Sequence, residues 1–322
     1  MTTKEPLWGK SPGADPLLLD NQKSLERLSL AETQKDFLYL YSPSGRLITI
    51  ANYSKGRGPD RILVSKNPSE LFEEKEEIDS LTKEGNPIGK TKTSRKLAAL
   101  TWGIKRKSLF HGDKLLLSLE DAPKTSSDAL PGVSDYPGHM RNIFARLTRT
   151  VDLELKKRVL NLSTALKSTF AEAVEIPLIE IIGFGKGKVP AGDAALCGIL
   201  LTGKAFSKGI RMRVDWVSRL SIELRRFTSR TSKRAAAFLR YAVDGRTTLA
   251  QERLLEAMIR DFEALGDVAA REVMDSPDFP GTAFLVGSLF ALDIIRQDME
   301  ATRRKSAGFK SNRKAIKLKA QS

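Results

Sequence analysis

Residues 183–193 read Gly-Phe-Gly-Lys-Gly-Lys-Val-Pro-Ala-Gly-Asp, three alternating glycines and two lysines leading into a proline and an apolar run. The chemistry that this pattern fits is anion binding. Gly183, Gly185 and Gly187 let the backbone turn without a Cβ penalty and bring its N–H groups close to a ligand, while Lys186 and Lys188 add charge. Pro190 has no N–H to leave unpaired and suits the first position of a helix, whose free N–H groups and partial positive charge favour phosphate or carboxylate. Two nucleotide-binding patterns are excluded by count. A Walker loop needs Gly-Lys after a glycine and four further residues, which neither Gly183 nor Gly185 provides, and the last glycine of a dinucleotide fingerprint would fall on Lys188. A glycine-rich connection between two helices is the other reading of the same residues.

Few other residues carry chemistry. Cys197 is the only cysteine, and His111 and His139 are the only histidines. No internal disulfide and no zinc site of the Cys/His kind can be built, and a Ser-His-Asp triad has two candidate bases. His139 follows a linker and His111 lies in a strand and turn context, so both read as surface or locally bonded histidines. Asp193, in the first turn after Pro190 and Gly192, is expected to cap the helix or orient a lysine in preference to acid–base work. Thr231 and Ser232 offer donors to a substrate carboxylate, but they stand where a helix carrying Phe238 would need its N-cap. Asp193 alone supplies too few oxygen ligands for a protein-made magnesium cage, though a carboxylate together with substrate phosphates could suffice; no resident metal and no cofactor are expected.

The chain has 322 residues and a net charge of +15, which raises nucleic acid and anionic membranes as partners. The distribution weakens the case for a specific nucleic-acid role and leaves a nucleic-acid-associated protein, acting through its basic C-terminal tail, as a second alternative. Arg303, Arg304, Lys305, Lys310, Arg313, Lys314, Lys317 and Lys319 sit with no acid in residues 301–322, where Phe309 is the only aromatic side chain available for stacking. Such a tail is expected to be disordered. A second basic run, residues 211–240, is interleaved with Val214, Trp216, Val217, Leu220, Ile222 and Leu224, as in an amphipathic segment with a solvated face. The charge-free stretch 279–292 falls short of the roughly 20 residues of a membrane span, and charges interrupt every apolar run near the N-terminus, so a cytoplasmic protein is expected.

These candidate residues need elements to hold them, and the composition changes character once. Short β-type runs occur at 37–41, 47–50, 61–64, 97–104 and 114–119, with a Pro43-Ser-Gly45 turn after the first, which predicts a small, mostly antiparallel barrel or sandwich. Residues 121–138, with Pro123, Pro131, Gly132 and Pro137, read as a linker. Beyond it apolar residues recur at helical steps: Val151, Leu155, Val159, Leu162, Leu166 and Phe170, then Leu254, Leu255, Met258, Ile259, Phe262 and Leu265, the latter series ending at Gly266. Residues 191–206 are apolar nearly all round, which predicts a helix buried in a bundle. The expected class is α+β, with an N-terminal segment 1–35, a β-rich domain 36–120, the linker 121–138, a helical domain 139–300 and the tail 301–322.

The order of these features resembles the AllH-like family, which includes a subunit of oxamate carbamoyltransferase. There the loop typically reads as a Leu-Gly run, then Leu-Thr-Pro-Ser-Gly-Asp-Asp, then an apolar helix with a further Gly, to which residues 182–198 are similar. Thr231-Ser232 followed by Phe238, Leu239 and Gly245 resembles the family's Thr-Thr segment, and Pro280-Gly281 stands where the family has a Ser-Gly turn entering its last buried helix. The resemblance runs in order from about residue 20 to about residue 295. It departs at Val189, Ala191 and Ala194, where the family has Thr, Ser and a second Asp, and at Asp278 to Ala283, where the family's His and Asp are missing. What the resemblance implies is carbamoyl transfer between oxamate and phosphate, through oxalurate and carbamoyl phosphate, within an assembly of other carbamoyltransferase subunits. The implied site comprises the loop residues from Gly183 to Asp193, Thr231, Ser232 and Gly281. The departures keep open a catalytically silent anion-binding or assembly protein of the same fold.

Overall fold

The computed structural model describes residues 13–14, 25, 27–34, 36–55, 58–65, 68, 102–105, 108–111, 114–119, 137–168, 170–210, 215–276 and 279–319. The expected linker at 121–138 lies almost wholly outside these residues, as do 97–101 and Asp278. The chain divides into two compact units: residues 1–128 with 246–249, and residues 129–245 with 250–322.

The first unit is built from β1 (Gly13–Ala14), β2 (Ser29–Thr33), β3 (Phe37–Tyr41), β4 (Leu47–Asn52), β5 (Arg61–Val64), β6 (Trp102–Lys105), β7 (Ser108–His111) and β8 (Lys114–Ser118). The first five form one sheet in the order β1-β5-β4-β3-β2, and the last three form an antiparallel meander. Phe37-Leu-Tyr-Leu-Tyr41 and Leu47-Ile-Thr-Ile-Ala-Asn52 are β-branched and aromatic runs buried almost throughout, so they occupy central positions with both faces covered. The turn between them is closed by the Gly45 N–H on the Ser42 carbonyl at 2.9 Å, with Gly45 at φ +76°. Leu38, Leu40, Ile48, Ile50, Ile62 and Val64 of the larger sheet share one apolar cluster with Ile104 and Leu109 of the smaller.

The fold is α+β as expected, but the larger sheet is open and mixed. Of the expected barrel or sandwich, the barrel does not hold: β1 and β2 end the strand order, and β4 pairs with β5 in parallel through Ile50 and Ile62. A parallel neighbour cannot be reached by a hairpin, so a longer connection separates β4 from β5. The entry to β5 is fixed by Asp60, at φ +51° and 1% exposed, whose carbonyl accepts the Thr49 N–H at 2.9 Å. Its carboxylate accepts from Arg46 Nε at 2.8 Å, from a second Arg46 nitrogen, and from Arg246 at 3.0 Å. Burial by itself would push this carboxyl up; hydrogen bonds and charge from Arg46 and Arg246 outweigh burial and hold it below its ordinary value.

The second unit contains α1 (Gly138–Leu147), α2 (Leu153–Lys167), α3 (Glu175–Ile181), α4 (Ala191–Ile210), α5 (Asp215–Phe227), α6 (Lys233–Asp244), α7 (Leu249–Arg260), α8 (Glu263–Met274) and α9 (Gly281–Lys319). Their ends carry the usual chemistry: Asp152 accepts the Glu154 N–H, and Gly245 closes α6 in the left-handed conformation. Arg219 donates to the Leu166 and Ser168 carbonyls at the C-terminus of α2. The apolar run after Pro190 is the buried helix predicted, α4, and it packs against α9 at backbone contact. A Cβ on Gly198 would stand 2.1 Å from the Phe284 carbonyl oxygen, and one on Gly287 would stand 1.9 Å from that of Ala195. Rising numbers in α4 meet falling numbers in α9, so the pair is antiparallel.

One expectation of helix extent is corrected. The series beginning at Leu254 does not run to Gly266. It stops at Arg260, because Asp261 takes φ +49°, and Gly266 lies inside α8, where a Cβ would meet the Met140 sulfur at 2.1 Å. Asp261 also accepts the Met140 N–H at 3.2 Å in the first turn of α1. Phe262 and Leu265, the last members of that apolar series, are 50% and 62% exposed. The backbone of α9 is helical to Lys319. Lys, Arg and Ala are good helix formers, and extending an existing helix avoids the cost of nucleation. Among the described residues, no helix is long and apolar enough to cross a membrane.

Two outcomes test this description. Gly198→Ala should lower the stability of the helical unit by at least about 2 kcal/mol by overpacking, measured as a drop in urea midpoint by circular dichroism. Gly138→Ala, whose Cβ would meet nothing within 4 Å, should change it little. Because the folded-state value of Asp60 is depressed, its contribution is present above about pH 4 and is lost as pH falls through the lower folded value. Urea midpoints measured from pH 7 down to pH 3 should show this acid-side loss, and Asp60→Asn should remove that part of the slope.

Candidate functional site

The glycine-rich segment connects α3 to α4. The last turn of α3 is closed by the Ile182 N–H on the Leu178 carbonyl at 3.0 Å and by the Phe184 N–H on the Ile181 carbonyl at 3.0 Å. Gly183, Gly185 and Gly187 all take positive φ, at +74°, +103° and +102°. This region disfavours side chains, so the alternation seen in the sequence is a conformational requirement. The Gly192 N–H then returns to the Phe184 carbonyl at 2.8 Å, and a Cβ on Gly192 would stand 1.9 Å from the Ile181 carbonyl oxygen. The end of α3 and the start of α4 are therefore in backbone contact, with the loop projecting between them. Pro190 sits one residue before the first helical position predicted for it: α4 begins at Ala191, and the Pro190 carbonyl accepts the Ala194 N–H at 3.2 Å.

Asp193 locks this arrangement from inside. It is fully buried; one carboxylate oxygen accepts the Gly183 N–H at 3.0 Å and the other accepts the Thr231 hydroxyl. Burial raises the carboxyl above its ordinary value, and the bonds from Thr231 and Gly183 pull against that rise. Both oxygens are engaged, so Asp193 acts as a clasp. It neither caps α4 through its own first-turn N–H groups nor orients a lysine. Cys197, one turn further along α4, is buried, and its thiol is raised well above its ordinary value by burial and then by the Asp193 charge, which removes it as a nucleophile.

Thr231 and Ser232 come to the loop together. Ser232 is the N-cap of α6, accepting the Ala235 N–H at 3.1 Å, and its hydroxyl also donates to the Lys188 carbonyl. The N-cap expected of this pair is thus Ser232, while Thr231 binds Asp193. Gly281 starts α9, and its nearest neighbours are Val273 and Met274; no loop atom is among them, so its role here is helix packing. His139 is exposed and lies 3.8 Å from Glu263 at the start of α8. His111 ends β7 in the first unit, its backbone paired with Trp102 and Lys114.

What remains open to solvent is the crest of the loop. Gly185, Lys186, Gly187 and Lys188 are exposed, while Val189 and Pro190 are buried beneath them. Among the described residues, the N–H groups of Gly185, Lys186 and Gly187 make no hydrogen bond. Three backbone donors and two lysine side chains therefore stand beside the N-terminus of a buried 20-residue helix. Successive N–H groups with positive φ at alternate residues form a concave nest suited to an anion. Among the described residues no three His, Cys, Asp or Glu side chains come together as a metal site needs.

One contact had no signal in the sequence. The Arg158 guanidinium of α2 lies over the Phe184 ring at 4.5 Å and donates to the Glu180 carbonyl at 2.5 Å. Arg158 stands on the polar flank of α2, and Glu180 and Phe184 are more than 20 residues further along the chain, so no local pattern points to these contacts.

Removing the clasp should be measurable. Asp193→Ala leaves the Gly183 N–H and the Thr231 hydroxyl without an acceptor and should cost roughly 2 kcal/mol in urea unfolding. The pH dependence has the opposite sign to that of Asp60. A raised carboxyl disfavours its own ionisation, so the Asp193 contribution falls as pH rises from about 4 through its folded-state value, and Asp193→Asn should flatten the midpoint over that interval.

Comparison with known proteins bears on the same segment. Residues 181–292 match the family model described as oxamate carbamoyltransferase subunit AllH. No curated protein and no solved structure matches the chain. The matched residues begin just before Gly183 and include the loop, Asp193, Thr231, Ser232 and the α4–α9 contact. The match supports an AllH-like family assignment and a link to carbamoyltransferase subunits, as the order of the loop, the Thr231-Ser232 pair and Gly281 led us to expect.

Proposed function

We propose that this protein acts as a subunit of a carbamoyltransferase of the oxamate type and that the crest of the loop, residues 185–188, binds the phosphate of carbamoyl phosphate or inorganic phosphate. The observation that carries the proposal is the row of unbonded N–H groups at Gly185, Lys186 and Gly187 beside a helix N-terminus. Carbamoyl transfer between oxamate and phosphate develops negative charge on the carbonyl oxygen and on the phosphate, and fixed N–H donors with nearby cations stabilise both. In this reading Lys186 and Lys188 supply charge. Thr231, Ser232 and Asp193 hold the loop in shape and do not touch the ligand, since their polar atoms are already engaged. Groups that break and make the carbamoyl bond would come from partner subunits, so activity is expected only when those are present.

A specific observation favours a second reading, a silent binding or assembly subunit of the same fold. Val189 and Ala194 are buried and apolar where the resembling family carries a hydroxyl and a carboxylate, and Ala191 replaces a second hydroxyl. The loop's shape survives these changes, because backbone bonds and Asp193 set it.

Calorimetric titration with phosphate and with carbamoyl phosphate separates the two. Saturable binding at about millimolar ligand or below is expected. Gly185→Val should abolish it, since Gly185 takes φ +103° and its Cβ would stand 3.0 Å from the Ala191 nitrogen. Absence of binding to the wild-type chain would overturn the phosphate reading in favour of the silent subunit.

A further inference from the structure

We infer that Arg158 is a positioning residue for the loop, acting through the ring of Phe184 and not by touching the anion; the inference rests on the phosphate reading above. Phe184 is the hinge of the segment. It lies between two glycines at positive φ, its N–H and carbonyl bond to Ile181 and Gly192, and its side chain is the only large apolar group between Ile182 and Val189. Whatever fixes the Phe184 ring fixes the start of the crest.

Arg158 does so from three directions. One terminal nitrogen donates to the Glu180 carbonyl in the last turn of α3 at 2.5 Å, and the other pairs with Glu154, one turn back on α2, at 3.0 Å. The guanidinium face covers the Phe184 ring at 4.5 Å. The side chain is thus tied to the C-terminus of α3 and to the first residue that must turn away from it. A planar cation serves both contacts at once, bonding in its plane and stacking through its face, which an ammonium cannot do. The Glu154 carboxylate offsets its charge locally, so its long-range pull on an anion is small, whereas Lys186 and Lys188 on the crest are exposed. The Nε of Arg158 is buried and has no hydrogen-bond partner among the described residues. Stacking and the two terminal nitrogens, not complete hydrogen bonding, therefore hold the group in place.

The test is the phosphate titration repeated over a range of salt concentrations with Arg158→Ala, Arg158→Lys, Phe184→Leu and the Arg158→Ala/Phe184→Leu double variant. Loss of a partly desolvated cation–ring contact should weaken binding about ten-fold. Arg158→Lys should not restore it. Phe184→Leu, which keeps the Arg158 bonds to Glu180 and Glu154, should cause a similar loss, and the double variant should bind no more weakly than either single one. The slope of affinity against salt should match the wild type, while a Lys186→Ala/Lys188→Ala control should flatten it. An Arg158→Ala chain that binds as tightly as wild type, or one whose salt slope flattens as in the lysine control, overturns the inference while leaving the loop as a phosphate site. A wild-type chain that binds no phosphate overturns both.

Discussion

The second unit depends on backbones touching where side chains would ordinarily keep them apart. Gly192 brings α4 against the last carbonyl of α3, and Gly198 and Gly287 bring the same helix against α9. A Cβ at any of these points would stand about 2 Å from a carbonyl oxygen, a clash that no rotamer change relieves. With α4 fixed on both sides, its N-terminus has one position, and the loop that leads into it has one pair of end points. The positive φ of Gly183, Gly185 and Gly187 then follows from closing a short path between those points.

Two buried aspartates show how differently the same side chain is used. Asp60 in the β unit has two arginines on its carboxylate, enough charge to overcome burial and keep it ionised. Asp193 has only neutral donors, a backbone N–H and a hydroxyl, and burial wins. An aspartate held this way is a geometric device: it ties the start of the loop to the segment before α6. Ser232 makes a second tie to the Lys188 carbonyl, so the loop is pinned near both ends while its crest is left open. Rigid ends with an unbonded centre suit a binding loop, because the donors are preorganised before a ligand arrives.

The departures from the AllH-like pattern fall where this architecture tolerates them. Val189 and Ala194 face the interior, and an apolar side chain there needs no partner. The residues that cannot change without moving backbone, Gly183, Gly185, Gly192 and Asp193, are present. The matched segment, residues 181–292, holds them all. The loop's backbone shape is thus retained, while hydroxyl and carboxylate side chains within it are fewer than in the family pattern.

The sequence by itself determined the features that rest on local physics. Alternating glycines meant alternating positive φ, the all-round apolar run after Pro190 meant a buried helix, Ser232 meant an N-cap, and the runs at 37–41, 47–50 and 61–64 meant strands. Where the decisive partner lies far along the chain, only the tertiary structure decided. The parallel pairing of β4 with β5 makes mixed a sheet that short strands alone suggested would be mostly antiparallel. Gly266 looks like a helix stop but is a contact with Met140, and Asp261, with no glycine signal, is the stop. Asp193 reads locally as a cap, yet its partners are Gly183 and Thr231. Arg158 shows locally only an i,i+4 spacing from Glu154, and nothing near it points to its stacking partner, which belongs to a different element. Backbone preferences are properties of a few adjacent residues and can be read in order; the pairing of a buried polar group depends on which elements pack together, and that is fixed only when the helices meet.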